Sequence, residues 1–353
     1  MQSNSPYSTD YQFGIGSMTG TSLDGLDLAL CKFDEKGYEI LDFNCFELPA
    51  QLRKNLNDAY TKNGREFFQI ENDYSRFIAE CINSFQNKTG SLARFIGIHG
   101  QTIFHEPNSQ LTVQMLNGGL IAAETGLTTV CDFRRADMAL DGQGAPLVPI
   151  GDRDLFGEYN ACLNLGGFAN LSAKVDGERV AFDICAVNIV LNLLAKKIGK
   201  DYDDRGQIAA SGKLNRELLN QLNSLAFYKE RPPKSLGREW MEQQILPLLA
   251  GIENNTALRT FTEHAAQQIA ACLPREGKVL LTGGGAYNDF LISLIRERLP
   301  ELQITIPEKK LLEGKEALIF AYLAKLRLEG ETNVLASATG AFRNSSSGAV
   351  YIP

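Results

Sequence analysis

Gly16-Ser17-Met18-Thr19-Gly20-Thr21-Ser22-Leu23-Asp24-Gly25 stands between two stretches that read as strands. Tyr11 to Ile15 precedes it. After it, Leu26, Leu28, Leu30 and Lys32 alternate with Asp27, Ala29, Cys31 and Phe33, a period-2 segment apolar enough to be mostly buried. The spacing predicts a tight turn between paired strands rather than a strand-to-helix P-loop. Gly16, Gly20 and Gly25 allow close backbone approach and positive φ. Thr19, Thr21 and Ser22 supply hydroxyls. Such a turn is an anion nest suited to phosphate. Asp24 would repel a bare phosphate, but it suits a Mg2+ shell or a water-positioning role. Taken alone, the stretch reads first as an ordinary polar hairpin. The rest of the chain reverses that order.

Outward from the hairpin, Tyr38 to Leu48 is a third apolar stretch, so the chain opens as an antiparallel meander. Helical spacing follows over 50–62 and 66–88, with Phe67, Phe68, Ile70, Tyr74, Phe77, Ile78, Cys81 and Ile82 recurring at that spacing in the second. Phe95 to Thr102 is a short buried strand running into a polar turn. A strand of that kind after a helix suggests a parallel partner reached by crossover. Leu111–Met115 and Thr128–Phe133 read as strands, and Gly118–Thr125 as a short helix. Residues 134–149 are punctuated by glycine and proline and read as a connection between halves. The two Arg and two Asp there exceed what a plain linker needs.

The second half repeats the opening. Ala161 to Ser172 is strand, Gly166-Gly167 turn and strand, and Val180–Asp183 is a strand ending on a carboxylate. Helices are expected over 187–199, 206–225 and 240–273. Lys278 to Ala286 is a buried strand breaking into Gly283-Gly284-Gly285. A helix over 287–298, a strand over 303–306 and a last apolar helix from Glu313 through Tyr322 complete the pattern. The repeat is of architecture, not of residue identity. It predicts a duplicated α/β chain of mixed sheets flanked by helices, with glycine turns from both halves facing a central cleft. That layout is similar to the two-domain, ribonuclease H-like fold of actin-like ATPases, sugar kinases and Hsp70. The domains are placed at 11–150 and 151–353, with the last segment a candidate to pack back on the first domain, after a loose tail at 1–10. By that likeness Gly16–Gly25 is the first phosphate loop. Asn164–Asn170 or Asp183–Asn188 is the second, and Thr282–Ala286 carries adenosine.

Composition narrows the partners. The 353 residues suffice for two cores. A net charge of −7, with Lys and Arg scattered, argues against nucleic acid as the main partner. No apolar run approaches the ~20 residues that span a membrane, and the polar start shows no secretory apolar segment. Seven cysteines without a C-x-x-C pair read as reduced thiols of a cytoplasmic protein. The three histidines, His99, His105 and His264, lie in no ligand-like cluster.

The first loop resembles the G-x-M-S-G-T-S-x-D-G signature of the anhydro-N-acetylmuramic acid kinase family. Matches continue along nearly the whole chain. They include His99-Gly100-Gln101-Thr102, Asp132-Phe133-Arg134, Gly142 through Pro149, Asn164 through Gly167, Pro233-Lys234-Ser235 with Gly237-Arg238-Glu239, Gly283 through Ala286 with Asn288, Glu316-Ala317 and Thr339-Gly340-Ala341. The resemblance implies an ATP- and Mg2+-dependent enzyme of peptidoglycan recycling, dimeric, that opens 1,6-anhydro-N-acetylmuramic acid with water and phosphorylates O6. In the family an Asp opening a D-T-G-P-G-N motif activates the water. The matching residue is Asp183, followed here by Ile184-Cys185-Ala186-Val187-Asn188. Asp and Asn survive, while Thr and both glycines are lost. Three readings stay open: a shifted loop path, a different anhydro sugar, or weakened catalysis.

The resemblance and the residues together give the following roles. Asp183 is the general base; its plainer reading is a helix cap. Gly16, Thr19, Gly20, Thr21, Ser22, Asp24, Gly25, Gly166, Gly167, Gly283, Gly284, Gly285 and Asn288 are nucleotide candidates, Asp24 also for Mg2+. His99, Gln101, Arg134, Asn188 and Glu316 are sugar candidates. Arg134 suits a carboxylate or phosphate; its plainer reading is a salt bridge to Asp132 or Asp137. Glu316 reads otherwise as a helix N-terminal acid. Cys185 reads as structural. Two other classes compete: a nucleotide-gated sugar-binding protein, motivated by the altered loop, and a glycoside hydrolase using Asp183 with Glu316.

Overall fold

The computed structural model of the protein describes residues 11–20, 23, 25–90, 92–232 and 234–353. The expected tail at 1–10, and Thr21, Ser22 and Asp24 of the first loop, lie outside these residues. The strands are β1 (Phe13–Thr19), β2 (Leu26–Asp34), β3 (Gly37–Phe46), β4 (Phe95–Ile98), β5 (Gln101–Glu106), β6 (Leu111–Met115), β7 (Thr128–Cys131), β8 (Ala161–Leu165), β9 (Phe168–Val175), β10 (Glu178–Ala186), β11 (Gly277–Thr282), β12 (Leu302–Thr305) and β13 (Ala349–Tyr351). They fall into two compact units. One runs to Leu155 and resumes at Gly314–Pro353, and the other is Phe156–Glu313. The C-terminal domain expected over 151–353 is therefore divided. Residues 134–149, expected to connect the halves, belong wholly to the first unit.

Both sheets have one topology. In the first unit the order is β13-β7-β4-β1-β2-β3, and in the second it is β10-β9-β8-β11-β12. Each opens as an antiparallel meander, and the next two core strands run parallel to the first strand of that meander. This is the duplicated α/β, actin-like arrangement, with the first sheet extended at one edge by β13. The ribbon β5–β6 stands apart as a two-stranded insertion, and β5 had no sequence signal of its own.

Local chemistry explains the helix limits. The helix Gly64–Thr89 begins with a reciprocal cap between Asn63 and Glu66, and ends at Gly90 in the left-handed conformation. Its buried face carries Ile70, Tyr74, Ile78, Cys81, Ile82 and Phe85. The single helix expected over 240–273 is interrupted. Pro247 lacks the N–H that a continuing helix needs, and the Glu253 carboxylate caps a new start by accepting from the N–H groups of Asn255 and Thr256. The helix expected over 206–225 breaks in the same way, into Gln207–Ser211 and Arg216–Asn223, the second capped by Asn215.

One contact positions the first unit's long C-terminal helix, Lys309–Glu329. Gly16 of β1 and Gly97 of β4 lie side by side in register. A Cβ on Gly16 would overlap the Ala317 carbonyl, and one on Gly97 would overlap the Phe320 carbonyl. The glycine pair is a bare patch on which helix backbone rests directly. Gly97→Ala is expected to cost about 1–3 kcal/mol through overpacking, read as a lower urea midpoint. An unchanged midpoint would show that the helix does not press on this patch.

Candidate active site

In the second unit, three turns that are distant in sequence meet. Gly166-Gly167 joins β8 to β9, and its carbonyls accept from the backbone N–H groups of Val187 (2.8 Å), Ile189 (3.2 Å) and Asn188 (3.3 Å). The Gly-Gly turn thereby caps the helix Asn188–Lys196. The Asn188 side chain donates to the Leu165 carbonyl at 3.1 Å. A Cβ on Gly285 would lie 2.6 Å from the Leu165 Cβ and 3.4 Å from Asn188 Nδ2, whereas Gly284 is open. Gly283 has φ +84°, a conformation that favours glycine. The two alternatives for the second phosphate loop are thus one structure, with the Gly283–Gly285 turn laid beside it. The N–H groups of Gly167 and Gly283 make no hydrogen bond among the described residues, so they are donors available to an anion. Asn288 is committed elsewhere. Its Oδ1 accepts from Leu291 N–H as the cap of helix Asp289–Arg298.

Asp183 lies on β10 in the same unit, at a bulge between Asp183 and Cys185. The loop after residue 233 clasps it. Asp183 N–H donates to the Lys234 carbonyl at 3.0 Å, and Leu236 N–H donates to Asp183 Oδ2 at 2.8 Å. Lys234 is itself held, donating to the Phe227 carbonyl at 3.0 Å with its ammonium 4.4 Å above the Phe227 ring. Burial pushes the Asp183 carboxyl up, and the Leu236 N–H offsets part of that rise. The carboxylate is held by one oxygen and kept more basic than an exposed one, the condition a general base needs.

The altered residues after Asp183 face the core. Ile184, Cys185, Ala186 and Val187 are all buried among the hydrophobic side chains of this unit. None has positive φ. Their side chains are part of the interior of this unit. Burial pushes the Cys185 thiol well up, so it is not a nucleophile.

In the first unit, Arg134 joins His99 to the 142–144 loop. Its Nη2 and Nε reach His99 Nε2 at 2.7 and 3.2 Å, and its Nη1 donates to the Gly144 carbonyl at 2.6 Å. His99 Nδ1 faces the Gly100 carbonyl at 2.8 Å. A carbonyl only accepts, so Nδ1 carries the proton and Nε2 offers its lone pair to the guanidinium. Burial, and then the Arg134 charge, hold the His99 pKa down to about 3, so the ring is neutral. Arg134 makes neither of the salt bridges weighed from sequence; Asp132 pairs with Arg135 instead, at 3.4 Å.

Asp137, which is buried, organises the neighbouring loops. It accepts from Gly144 N–H (2.8 Å) and from the Thr339 hydroxyl (2.7 Å). Glu316 lies on the helix Lys309–Glu329, where burial pushes its carboxyl up, Lys315 and Arg134 draw it down, and Asp27 and Asp152 push it further up. Lys315 pairs with Asp152 at 2.7 Å, both buried, a pairing the sequence did not announce. Gln101 is buried, and its Oε1 has no hydrogen-bond partner.

Several candidates of the first loop serve the fold. Gly16 and Thr19 belong to β1, not to a turn. Gly16 serves the helix contact described above. The Thr19 hydroxyl points inward and accepts from Tyr74 at 2.8 Å. Gly25 packs against the Cys45 thiol. Gly20 remains at the strand end, its carbonyl closing a turn with Leu23 N–H at 3.0 Å.

Comparison with known proteins gives one result. A family model described as anhydro-N-acetylmuramic acid kinase matches residues 12–353. The curated anhydro-N-acetylmuramic acid kinase of Pseudomonas syringae pv. tomato is 36% identical, over 96% of this chain and 99% of its own. That of Vibrio cholerae is 34% identical, over 96% and 98%. Among solved structures, component A of (R)-2-hydroxyglutaryl-CoA dehydratase from Acidaminococcus fermentans aligns with TM-score 0.48 at 13% identity, over 90% of this chain and 99% of that one. A ROK family glucokinase from Streptomyces griseus, in complex with glucose and AMPPNP, aligns with TM-score 0.41 at 14% identity, over 88% and 97%.

Proposed function

The chain belongs to the anhydro-N-acetylmuramic acid kinase family, and from that premise we propose how its own residues carry the reaction. The enzyme is a phosphotransferase of cell-wall recycling. It opens 1,6-anhydro-N-acetylmuramic acid with water and phosphorylates O6, with ATP as donor. O6 is an ether oxygen with no proton to give. Water adds at C1, the C1–O6 bond breaks, and the departing O6 takes the γ-phosphoryl group as ADP leaves. Asp183 takes the proton from water. Leu236 N–H occupies Oδ2, which leaves Oδ1 to face the nucleophile. The full-length family match carries this reading, and the clasped, burial-raised carboxylate of Asp183 gives it a physical agent.

We assign the nucleotide to Gly20, to the Gly166-Gly167 turn with Asn188 beside it, and to Gly283–Gly285. The open N–H groups of Gly167 and Gly283 support this, because preorganised backbone donors stabilise charge on phosphoryl oxygens. Asn188 acts through its hold on the Leu165 carbonyl. Gly16, Thr19, Gly25 and Asn288 act through the fold. His99, neutral, keeps Arg134 aimed, and Arg134, Gln101 and Glu316 are assigned to the sugar. The unpartnered Gln101 Oε1 is an acceptor for a sugar hydroxyl or amide. Mg2+, which neutralises spreading phosphate charge when bound, would arrive on the triphosphate. No three His, Cys, Asp or Glu side chains gather as a cage among the described residues; Asp24, the residue assigned to the metal, lies outside them. No helix among the described residues is long and apolar enough to cross a membrane, and we place the enzyme in the cytoplasm, as a homodimer.

The test is ADP release from Mg-ATP with and without 1,6-anhydro-N-acetylmuramic acid, with mass detection of the product. Sugar-dependent ADP and a product heavier by one water and one phosphoryl group are expected. ADP release indifferent to the sugar would defeat the assignment.

A further inference from the structure

Away from these residues, the first unit holds a cavity of ≈ 400 Å³, within the ~300–1,000 Å³ range of small-molecule sites. Its walls are aromatic. Phe67 stacks on Phe104 with centroids 6.5 Å apart and rings at 18°, and Phe68 meets Phe67 edge-on at 5.8 Å. Tyr351 of β13 closes another side. Phe68 is 61% exposed and Tyr351 41%, so flat rings line the rim as well as the interior.

The polar lining is mixed. Gln114 is nine-tenths buried. Its Nε2 donates to the Thr112 hydroxyl at 2.9 Å, and that hydroxyl in turn donates to the Phe104 carbonyl at 3.4 Å. The same hydroxyl lies 3.1 Å from His105 Nδ1, and Gln114 Oε1 is a buried acceptor with no partner among the described residues. Glu71 and Asp132 add two carboxyls, both pushed up by burial. Lys62 and Arg135 balance their charge. The cavity therefore offers both donors and acceptors, no net formal charge and aromatic faces.

We propose that this cavity is an accessory saccharide site, one that takes a pyranose ring. A pyranose has an apolar face of C–H groups to lie on Phe68 or Tyr351, and hydroxyl or acetamido N–H donors for Gln114 Oε1, Glu71 and Asp132. Lys62 and Arg135 beside the two carboxyls give partners for both the oxygen and the O–H of a sugar hydroxyl. The sugar would come either as a free monosaccharide or as the end of a short glycan.

Protein labelled with fluorotyrosine supplies a local readout, since the Tyr351 resonance is identified by its loss in Tyr351→Phe. Titration with N-acetylglucosamine, and separately with its β-1,4 disaccharide, without nucleotide, is expected to move that resonance saturably in the millimolar range. Phe68→Ala, an exposed position that leaves the fold intact, should weaken binding about fivefold. Gln114→Met should do the same. Tighter binding of the disaccharide identifies a glycan end, and equal binding identifies a monosaccharide. A Tyr351 resonance that does not move, or that moves equally in Phe68→Ala and Gln114→Met, overturns the proposal. The ADP assay is run apart from this titration, so loss of the kinase reading and loss of this site are separate results.

Discussion

Asp183→Asn is expected to lower turnover by about 10²–10⁴-fold, the usual contribution of a positioned general base, while ATP affinity stays close to wild type. The substitution is nearly isosteric. The Asn carbonyl oxygen can still accept from Leu236 N–H, so the clasp made by residues 234–236 persists. What is lost is the ability to take a proton. The base must be ionised, and burial pushes its pKa up. Wild-type kcat/KM should therefore fall on the acid side with a midpoint above the ordinary carboxylate range. Residual activity of the variant should lack that limb. Sugar-dependent ADP formation across pH, with calorimetric titration of ATP, checks both parts. Wild-type-like turnover in Asp183→Asn would remove the residue from the base role. Lost ATP binding would mean that the substitution had damaged the glycine turns instead.

The architecture was legible because its signals are local. Period-2 stretches, glycine turns and one helical face announced the opening antiparallel meander, a parallel strand reached by crossover, and the helix expected over 66–88, which runs Gly64–Thr89. The altered loop was legible as a departure, but not in its consequence. Only the packing reveals that Ile184–Val187 are part of the core. The glycine-rich opening shows the limit most clearly. A glycine needed by a ligand and a glycine needed by a helix look alike in sequence. Gly16 is bare because Ala317 presses on it, and nothing near residue 16 says so. The Asp137–Thr339 bond spans 202 positions, and the buried Lys315–Asp152 pair joins two helices with no shared motif. The two Arg and two Asp noticed in 134–149 were the one trace of the first. The glycoside-hydrolase pairing of Asp183 with Glu316 would leave the Gly166–Gly167 and Gly283–Gly285 turns without a role.

Stability should fall steeply as pH drops from about 6.5 to 5, before most carboxylates titrate. The cause is the histidines. His264 is fully buried, with Nδ1 at 2.6 Å from Asn223 Oδ1 and Nε2 at 3.0 Å from the Tyr228 hydroxyl. Burial holds its pKa down to about 3, as burial and Arg134 do for His99. His105 is lowered in the same direction, by burial first and then by Arg134. In the unfolded chain these rings take a proton near the ordinary value of about 6.5. The unfolded state therefore binds more protons than the native state below that pH, and stability must decrease as pH falls. At pH 5 each fully shifted ring withholds about 2 kcal/mol. Together His99 and His264 remove on the order of 4 kcal/mol, a large part of a typical domain's ~5–15 kcal/mol. The raised carboxyls of Glu71, Asp132, Asp183 and Glu316 act in the opposite sense. Their native forms take protons first, so they soften the loss from above the ordinary carboxylate range downward. Urea midpoints measured at several pH values between 8 and 5, about one pH unit apart, would show the decline. His264→Gln, less stable at neutral pH, should nevertheless lose part of the slope, because a glutamine takes no proton. A midpoint that stays flat from pH 6.5 to 5 would mean that the buried rings are protonated in the native state. In that case His99 could not offer Nε2 to Arg134, and the guanidinium would be aimed by Gly144 alone.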